Sequence, residues 1–222
     1  MAVKICRRPD GLTDGEIESW RAIPAAVAVD MSDTIGLIDP AIRPVGAIGP
    51  HIHMIGRAVT ASCEPPDFGA VAYVLDEIGP GDVLVIATGG NCSHAVIGEI
   101  LSGHLRRRGA AGVICDGAIR DVATLNFWSN FPVFARGVTA RGPTSAERGT
   151  INLPVRIGLC TVNPGDLIIG DGDGIAVLTP TAARVHLASA REKLKREEGW
   201  VNSLEAGHSA RETFGLCSPE LI

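Results

Sequence analysis

The sequence predicts an α/β protein: a largely parallel sheet covered by helices, then a hairpin-rich β section and a C-terminal helix. Three observations predict it. Between residues 83 and 135, apolar runs that read as buried strands alternate with helical segments, the βαβα order of a parallel sheet. Hydrophobic residues are 45% of the 222, aromatics only 4%, and 27 residues are glycine, which suits Ala/Val/Ile/Gly packing. After residue 150 short alternating strands joined by Gly/Asp turns take over. The length fits one domain over 1–222, with 180–222 as C-terminal helix and tail.

The elements follow in order. Residues 13–29 read as a helix: Thr13 can cap, Glu16 completes a capping box, and Ile17, Trp20 and Ile23 share a face. Residues 31–34 can open a second short helix, and the Pro/Gly-rich 40–50 reads as a loop. Val59-Thr60-Ala61 belongs to a strand, and a helix over 68–78 stops at Gly79-Pro80-Gly81-Asp82. Strand 83–87 follows, then a loop, Thr88-Gly89-Gly90-Asn91-Cys92-Ser93, feeding a helix over 94–108. Strand 112–115 is broken by Asp116-Gly117; a short helix after Arg120 and strand 133–135 complete the alternation. Val155, Ile157 and Leu159 alternate, and Gly170-Asp171-Gly172-Asp173-Gly174 turns one strand into the next. The last helix, 180–198, starts after Pro180 and ends at Gly199 as a C-cap. Pro-Gly-Asp occurs at 80–82 and 164–166, each time as a turn entering a strand.

Charge and composition narrow the function classes. Twenty basic against 25 acidic residues give a net charge of −5, which argues against general nucleic-acid binding. The one dense basic run, Arg106-Arg107-Arg108, ends a helix, where it complements the dipole. No signal peptide or apolar run of membrane-spanning length is visible. Six scattered cysteines without a Cys-x-x-Cys pair suggest reduced thiols in a cytoplasmic protein.

The most informative stretch is 112–121, Gly-Val-Ile-Cys-Asp-Gly-Ala-Ile-Arg-Asp. Buried strands of α/β proteins place chemistry just past their carboxyl ends. There Arg120 can face a developing oxyanion and Asp121 a metal; a surface ion pair at a helix start is the alternative. The loop 88–93 entering a helix is a possible small-anion site, or a plain βα turn. It lacks a Walker lysine and does not fit Gly-x-Gly-x-x-Gly. Glu99, one to two turns into that helix, lies one helix, turn and strand before Arg120, so Glu99, Arg120 and Asp121 can converge at one sheet edge. Two carboxylates near a helix N-terminus suit a hard cation such as Mg²⁺ held with waters. His51-x-His53 is a weaker metal pair without a third ligand nearby, and His94 either lines the loop or caps the helix.

The spacing Gly98-Glu99-x20-Arg120-Asp121 resembles the class II pyruvate aldolases that cleave 4-hydroxy-4-methyl-2-oxoglutarate and 4-carboxy-4-hydroxy-2-oxoadipate, a family shared with the regulator-of-ribonuclease-activity A (RraA-like) proteins. Ser32-Asp33-Thr34, Asp39 to Pro44, Gly56 to Thr60, Pro80 to Val85, Asp116 to Asp121, Pro132 to Gly137 and Pro164-Gly165-Asp166-Leu167 through Asp173-Gly174 also match, so the resemblance covers most of the chain. It implies a swivelling α/β/α sandwich of the phosphohistidine-domain-like kind, assembled as trimers or hexamers with sites at subunit boundaries. It implies Asp121 as the single direct protein ligand of Mg²⁺ or Mn²⁺, and Glu99 as the acid holding water there, one methylene longer than the family's usual Asp. It implies the amides of Ile100 and Leu101, beside Gly98, on a pyruvate carboxylate, Arg120 on the keto oxygen, and Glu197 or Glu198 reaching a neighbour's site. Two positions depart from the family's pattern. Pro66-Asp67-Phe68 and Ala72 replace Gly-Asp-Asn and a downstream His, and Thr124 replaces an acid. Both leave the metal and enolate positions intact and bear on the substrate.

The expected activity is metal-dependent C–C cleavage of a small 2-oxo acid through a pyruvate enolate, as aldolase and oxaloacetate decarboxylase. No membrane or nucleic-acid partner is expected. The alternative is a non-catalytic protein-binding regulator of ribonuclease E.

Overall fold

The computed structural model describes residues 2–31, 36–45 and 53–220. The short strand β1 (Lys4–Ile5) is followed by α1 (Asp14–Glu18), whose N-terminus closes with the capping box read from the sequence: Thr13 Oγ1 accepts from the Glu16 amide, and the Glu16 carboxylate accepts from the Thr13 amide. The expected helix over 13–29 is two helices, because Pro24 has no N–H to continue the ladder; α2 (Ala25–Met31) starts after it. Of the expected helix at 31–34, only Met31 lies within the described residues, and it ends α2.

The expected loop 40–50 contains a two-residue edge strand, β2 (Arg43–Pro44); residues 46–50 lie outside the described residues. The long strand β3 (Met54–Ser62) follows, then α3 (Gly69–Val74), shorter than the 68–78 expected. Next come β4 (Asp82–Ala87), β5 (Ala95–Ile97), α4 (Glu99–Arg107), β6 (Gly112–Ile119), α5 (Val122–Leu125) and β7 (Val133–Val138). The remaining strands are β8 (Thr150–Ile151), β9 (Val155–Ile157), β10 (Cys160–Val162), β11 (Leu167–Gly170) and β12 (Ile175–Leu178). The chain ends with α6 (Pro180–Glu205) and α7 (Ala210–Phe214).

The sheet runs β1-β8-β3-β4-β6-β7-β2, and its centre, β3-β4-β6-β7, is parallel as expected. Strand alternation builds the two faces. Leu84, Ile86, Val113 and Cys115 join Val71, Val74 and Leu105 under α3 and α4. Val83, Val85, Ile114 and Phe134 face the other way, against Val155, Ile157 and Val162 of the β9–β10 hairpin. A third apolar cluster packs α1, α2 and α6 on the β11–β12 hairpin, with Trp20 Nε1 donating to the Ala183 carbonyl at 3.2 Å. This is the mixed α/β architecture with a C-terminal helix that the sequence predicts.

Both Pro-Gly-Asp turns serve β3. Gly81 and Gly165 sit at φ +74° and +88°, where a side chain is disfavoured. The Gly81 carbonyl accepts from the Arg57 amide at 3.0 Å, and the Gly165 amide donates to Ala58 at 2.8 Å. Asp82 is buried and held bidentately by Arg8 at 2.7 Å.

Further differences have local causes. Leu159 does not continue the alternation: it is 85% exposed in the turn between β9 and β10. Gly199 does not end the last helix, which runs on to Glu205 with Ala206 as C-cap. Nothing lies within 4 Å of where a Gly199 Cβ would stand, so this glycine is simply an exposed interior residue of the helix. The tail folds back as α7, capped by Ser209 and Glu212, and sets Phe214 against Trp200 with ring centres 5.3 Å apart. No helix among the described residues is long and apolar enough to cross a membrane.

Candidate active site

Two corrections to the sequence reading build the site. Asp116-Gly117 does not end the strand: β6 continues to Ile119 through a register shift between Cys115 and Ala118. The loop 88–93 does not feed a helix either. The apolar Ala95-Val96-Ile97 is β5, parallel to β6, and α4 begins only at Glu99. His94 therefore precedes a strand, where its ring pairs with Ser93 Oγ at 3.0 Å.

With β5 and β6 side by side, their carboxyl ends bring Gly98 and Arg120-Asp121 together. The Arg120 amide donates to the Ile97 carbonyl at 3.1 Å. The Glu99 amide donates to Asp121 Oδ2 at 3.0 Å, and Arg120 Nε stands 3.6 Å from the same oxygen. Glu99 is the first residue of α4, not one to two turns in, so its backbone meets Asp121 while its exposed side chain stands outside the cleft lining. Asp121 adopts a left-handed backbone, φ 61°, uncommon for a residue with a side chain. It occupies the N-cap position of α5 yet makes no cap hydrogen bond there. Its carboxylate accepts from the first amide of α4 and also pairs with Arg120, so the ion pair at a helix start that the sequence offers is present and is tied to α4 as well.

Gly98 makes the approach possible. Its backbone is extended, but a Cβ there would lie 2.4 Å from Asp121 Oδ2 and 2.9 Å from Arg120 Cγ. Gly142 likewise leaves room for Arg120 Nη1, 2.5 Å from where its Cβ would stand. Because α4 has no side-chain cap, the amides of Ile100 and Leu101 are left open at a dipole-positive helix end. Arg120, Asp121, Gly98 and these two residues border a cleft of about 160 Å³. Phe68 and Pro143 form part of its wall.

The donors at this cleft suit a hard cation. Asp121 Oδ2 is engaged, while Oδ1 has no hydrogen-bond partner among the described residues; one carboxylate oxygen at a half-open rim leaves space for water and substrate oxygens. Among the described residues no three His, Cys, Asp or Glu side chains gather to enclose a metal. His51 of the His51-x-His53 pair lies outside the described residues. Glu197 bonds within its own helix, 3.6 Å from Lys193, and neither Glu197 nor Glu198 lines this cleft. The arginine run is used structurally: Arg108 donates to the carbonyls of Ile78 and Asp76, and Arg106 lies over Trp128.

Two polar clusters carry no signal in the sequence. Arg136 bridges Asp39 Oδ2 at 2.6 Å and the buried Asp116 Oδ1 at 2.7 Å. The Ala41 amide, then Arg136, hold the Asp39 carboxyl below its ordinary range. Asp67, just before Phe68, is buried. Burial alone would raise its pKa, but bonds from Ser145 Oγ and the amides of Glu147, Gly69 and Arg148 outweigh it and hold the carboxyl well below the usual range. A hydrophilic residue followed by a ring before a helix carries no sequence signal of this kind, since its donors come from residues 145–148.

Fold and cleft define a mixed α/β protein with a central sheet, a C-terminal helix and a candidate site at the carboxyl edge of that sheet. Residues 25–177 match the family model RraA-like, described as Aldolase/RraA, and the chain belongs to that family. It is 34% identical over 182 residues, 82% of this chain and 85% of the other, to a Halalkalibacterium halodurans protein named "Putative 4-hydroxy-4-methyl-2-oxoglutarate aldolase". The fold is similar to that of an uncharacterized protein from Pseudomonas syringae, with TM-score 0.81 at 24% identity over 93% of this chain and 95% of that one. It is also similar to Streptomyces coelicolor RraAS2, described as an unusual member of the RNase ES inhibitor RraA family, with TM-score 0.74 and 26% identity over 86% and 97%.

Proposed function

We propose that this protein is a divalent-metal-dependent lyase that cleaves a C–C bond of a 2-oxo acid through a pyruvate enolate. The carrying observation is the junction of Asp121, Arg120 and the open α4 N-terminus, which puts a carboxylate, a guanidinium and two free amides around one cleft. The name of the Halalkalibacterium relative supports the aldolase reading.

Each group has a task. The amides of Ile100 and Leu101 bind the C1 carboxylate at the helix end. Asp121 would hold Mg²⁺ or Mn²⁺, which when bound supplies Lewis acidity to the 2-oxo group. Arg120 donates to the keto oxygen and stabilises negative charge as it develops there. Glu99, whose exposed side chain stands outside the lining, would take and return a proton through intervening water. Loss of an aldehyde or ketone and loss of CO₂ both leave the same enolate, so one site serves retro-aldol cleavage and oxaloacetate decarboxylation. A trimer or hexamer would bring Glu197 or Glu198 of one subunit toward the cleft of the next.

The test is pyruvate release from oxaloacetate and from 4-hydroxy-4-methyl-2-oxoglutarate, with Mg²⁺ and with EDTA, in wild type, Arg120→Ala and Asp121→Ala. Metal-dependent release lost in both variants is expected; release unaffected by EDTA or by either substitution overturns the reading. The likeness to RraAS2 favours a second reading, a protein-binding regulator of ribonuclease E. That reading predicts inhibition of ribonuclease E by wild type and Asp121→Ala alike, without pyruvate release.

A further inference from the structure

We propose that the cleft selects 2-oxo acids whose leaving fragment is apolar, an alkyl or aryl aldehyde or ketone, and that Phe68 sets this selection. This rests on the function proposed above and names its substrate class.

The cleft has few groups to spend. Among the described residues, Arg120 is the only cation lining it, and Asp121 the only other charged side chain. With Arg120 on the keto oxygen and the Ile100 and Leu101 amides on the C1 carboxylate, no side-chain donor among the described residues that line the cleft in this chain remains for a second carboxylate. The rest of the wall is apolar: Phe68, Ile97, Ile100, Leu101 and Pro143 among it. A carboxylate against that wall loses its water without gaining a partner. Arg141 and Arg148, the nearby arginines in sequence, do not line the cleft; Arg141 enters this region through its carbonyl, which accepts from the Ala95 amide at 2.7 Å.

Phe68 is fixed in place. Its amide donates to the Ser145 carbonyl at 3.0 Å and its carbonyl accepts from Ala72 at 3.0 Å. Its side chain packs on the core under α3, and Asp67 beside it is tied by four hydrogen bonds to residues on both sides. A ring so held offers a flat apolar surface and no hydrogen bond, which favours an alkyl or aryl group.

The reaction balances without a co-reactant. A 4-hydroxy-2-oxo acid gives up the proton of its C4 hydroxyl, and the C3–C4 bond breaks. Its electron pair moves into the enolate, the fragment leaves as an aldehyde or ketone, and C3 takes a proton to become pyruvate.

The test compares kcat/KM of the full-length protein with Mg²⁺ for 4-hydroxy-2-oxo-4-phenylbutanoate and for 4-hydroxy-4-methyl-2-oxoglutarate. Calorimetry adds a readout without turnover: 5-methyl-2-oxohexanoate against its isosteric dicarboxylate, 2-oxoglutarate. The expected preference for the apolar member is at least about tenfold in both, narrowed or reversed in Phe68→Asn and kept in Phe68→Leu. Exchange of pyruvate methyl protons with D₂O in wild type reads the enolate chemistry without any leaving fragment. Exchange with equal or reversed preference overturns this proposal alone; no exchange overturns the underlying function and this proposal with it.

Discussion

The Glu99 amide donates to Asp121 Oδ2 at 3.0 Å, tying the first turn of α4 to the carboxyl end of β6. Those segments belong to consecutive βα units, so the bond spans the crevice where ligands of α/β proteins bind. One oxygen of Asp121 accepts from that amide; the other has no hydrogen-bond partner among the described residues and, on the proposed function, would face the cation. The pair with Arg120 is long, 3.6 Å, and both side chains are more than a third exposed, so it adds little stability. The arrangement serves the site.

Asp121→Asn tests this division of labour. Asparagine tolerates a left-handed backbone and still accepts from the Glu99 amide, but loses the charge that holds a cation. Loss of a residue that only orients a metal ligand already costs about 10–100-fold in metal affinity, so Mg²⁺ or Mn²⁺ affinity by calorimetry is expected to fall by at least that much here, with kcat/KM for pyruvate release falling as far. The melting temperature should stay within about 2–4 °C of wild type, a change of about 1 kcal/mol in a chain of this size. Unchanged cation affinity with lost activity would remove Asp121 as the ligand.

Gly98→Ala adds one methyl at a backbone any residue can adopt, so its effect is purely one of space. With Asp121 Oδ2 at 2.4 Å and Arg120 Cγ at 2.9 Å from that methyl, both catalytic candidates must shift. Overpacking of this kind costs about 1–3 kcal/mol. Misplacement by about 1 Å is worth about 10²-fold in rate, about 2.7 kcal/mol, so kcat should fall by about that factor while the protein stays folded. A variant with normal kcat in a steady-state assay would show that the tight junction has no part in chemistry.

The legible and illegible parts of this site divide by range. Arg120-Asp121 stood out because a charged pair directly ends an apolar run, a local pattern. The turn at 80–82 and the capping box at 13–16 were equally local. β5 was misread because three apolar residues, Ala95-Val96-Ile97, fit a helix face as well as a strand. That error carried Glu99 a turn too deep into α4. Gly199 misled because a helix as long as α6 absorbs the cost of about 1 kcal/mol for one glycine. The Asp39–Arg136–Asp116 bridge was invisible because Arg136 meets partners 97 and 20 residues away, and only strand pairing brings them together.

That bridge makes its own prediction. Asp116 is 2% exposed, with one carboxylate oxygen on Arg136 and the other accepting from the Gly90 amide at 3.1 Å. Arg136→Ala leaves a buried carboxylate without its cation, an expected loss of about 3 kcal/mol in urea melts. Adding Asp116→Asn should restore part of that loss, since the stranded charge is then gone. A double variant no more stable than Arg136→Ala alone would show that the stranded charge is not the source of that loss.

Asp67 gives the pH dependence. Oδ1 accepts from the amides of Gly69 at 2.8 Å and Arg148 at 3.1 Å; Oδ2 accepts from Ser145 Oγ at 2.6 Å and the Glu147 amide at 2.9 Å. In Asp67→Asn the NH₂ group must face donors on one side, so about 1–3 kcal/mol is lost at neutral pH. In the folded protein the carboxyl titrates below its unfolded value of about 3.9, so its stabilisation is fully present above that value. It is lost as the pH falls through the lower folded value. The gap in melting temperature between wild type and Asp67→Asn should therefore be constant from about pH 5 to 8 and shrink below about pH 4. A gap that persists unchanged into acid would mean that the ionised carboxylate is not what ties residues 145–148 to the start of α3, and that the Phe68 wall is held by the backbone alone.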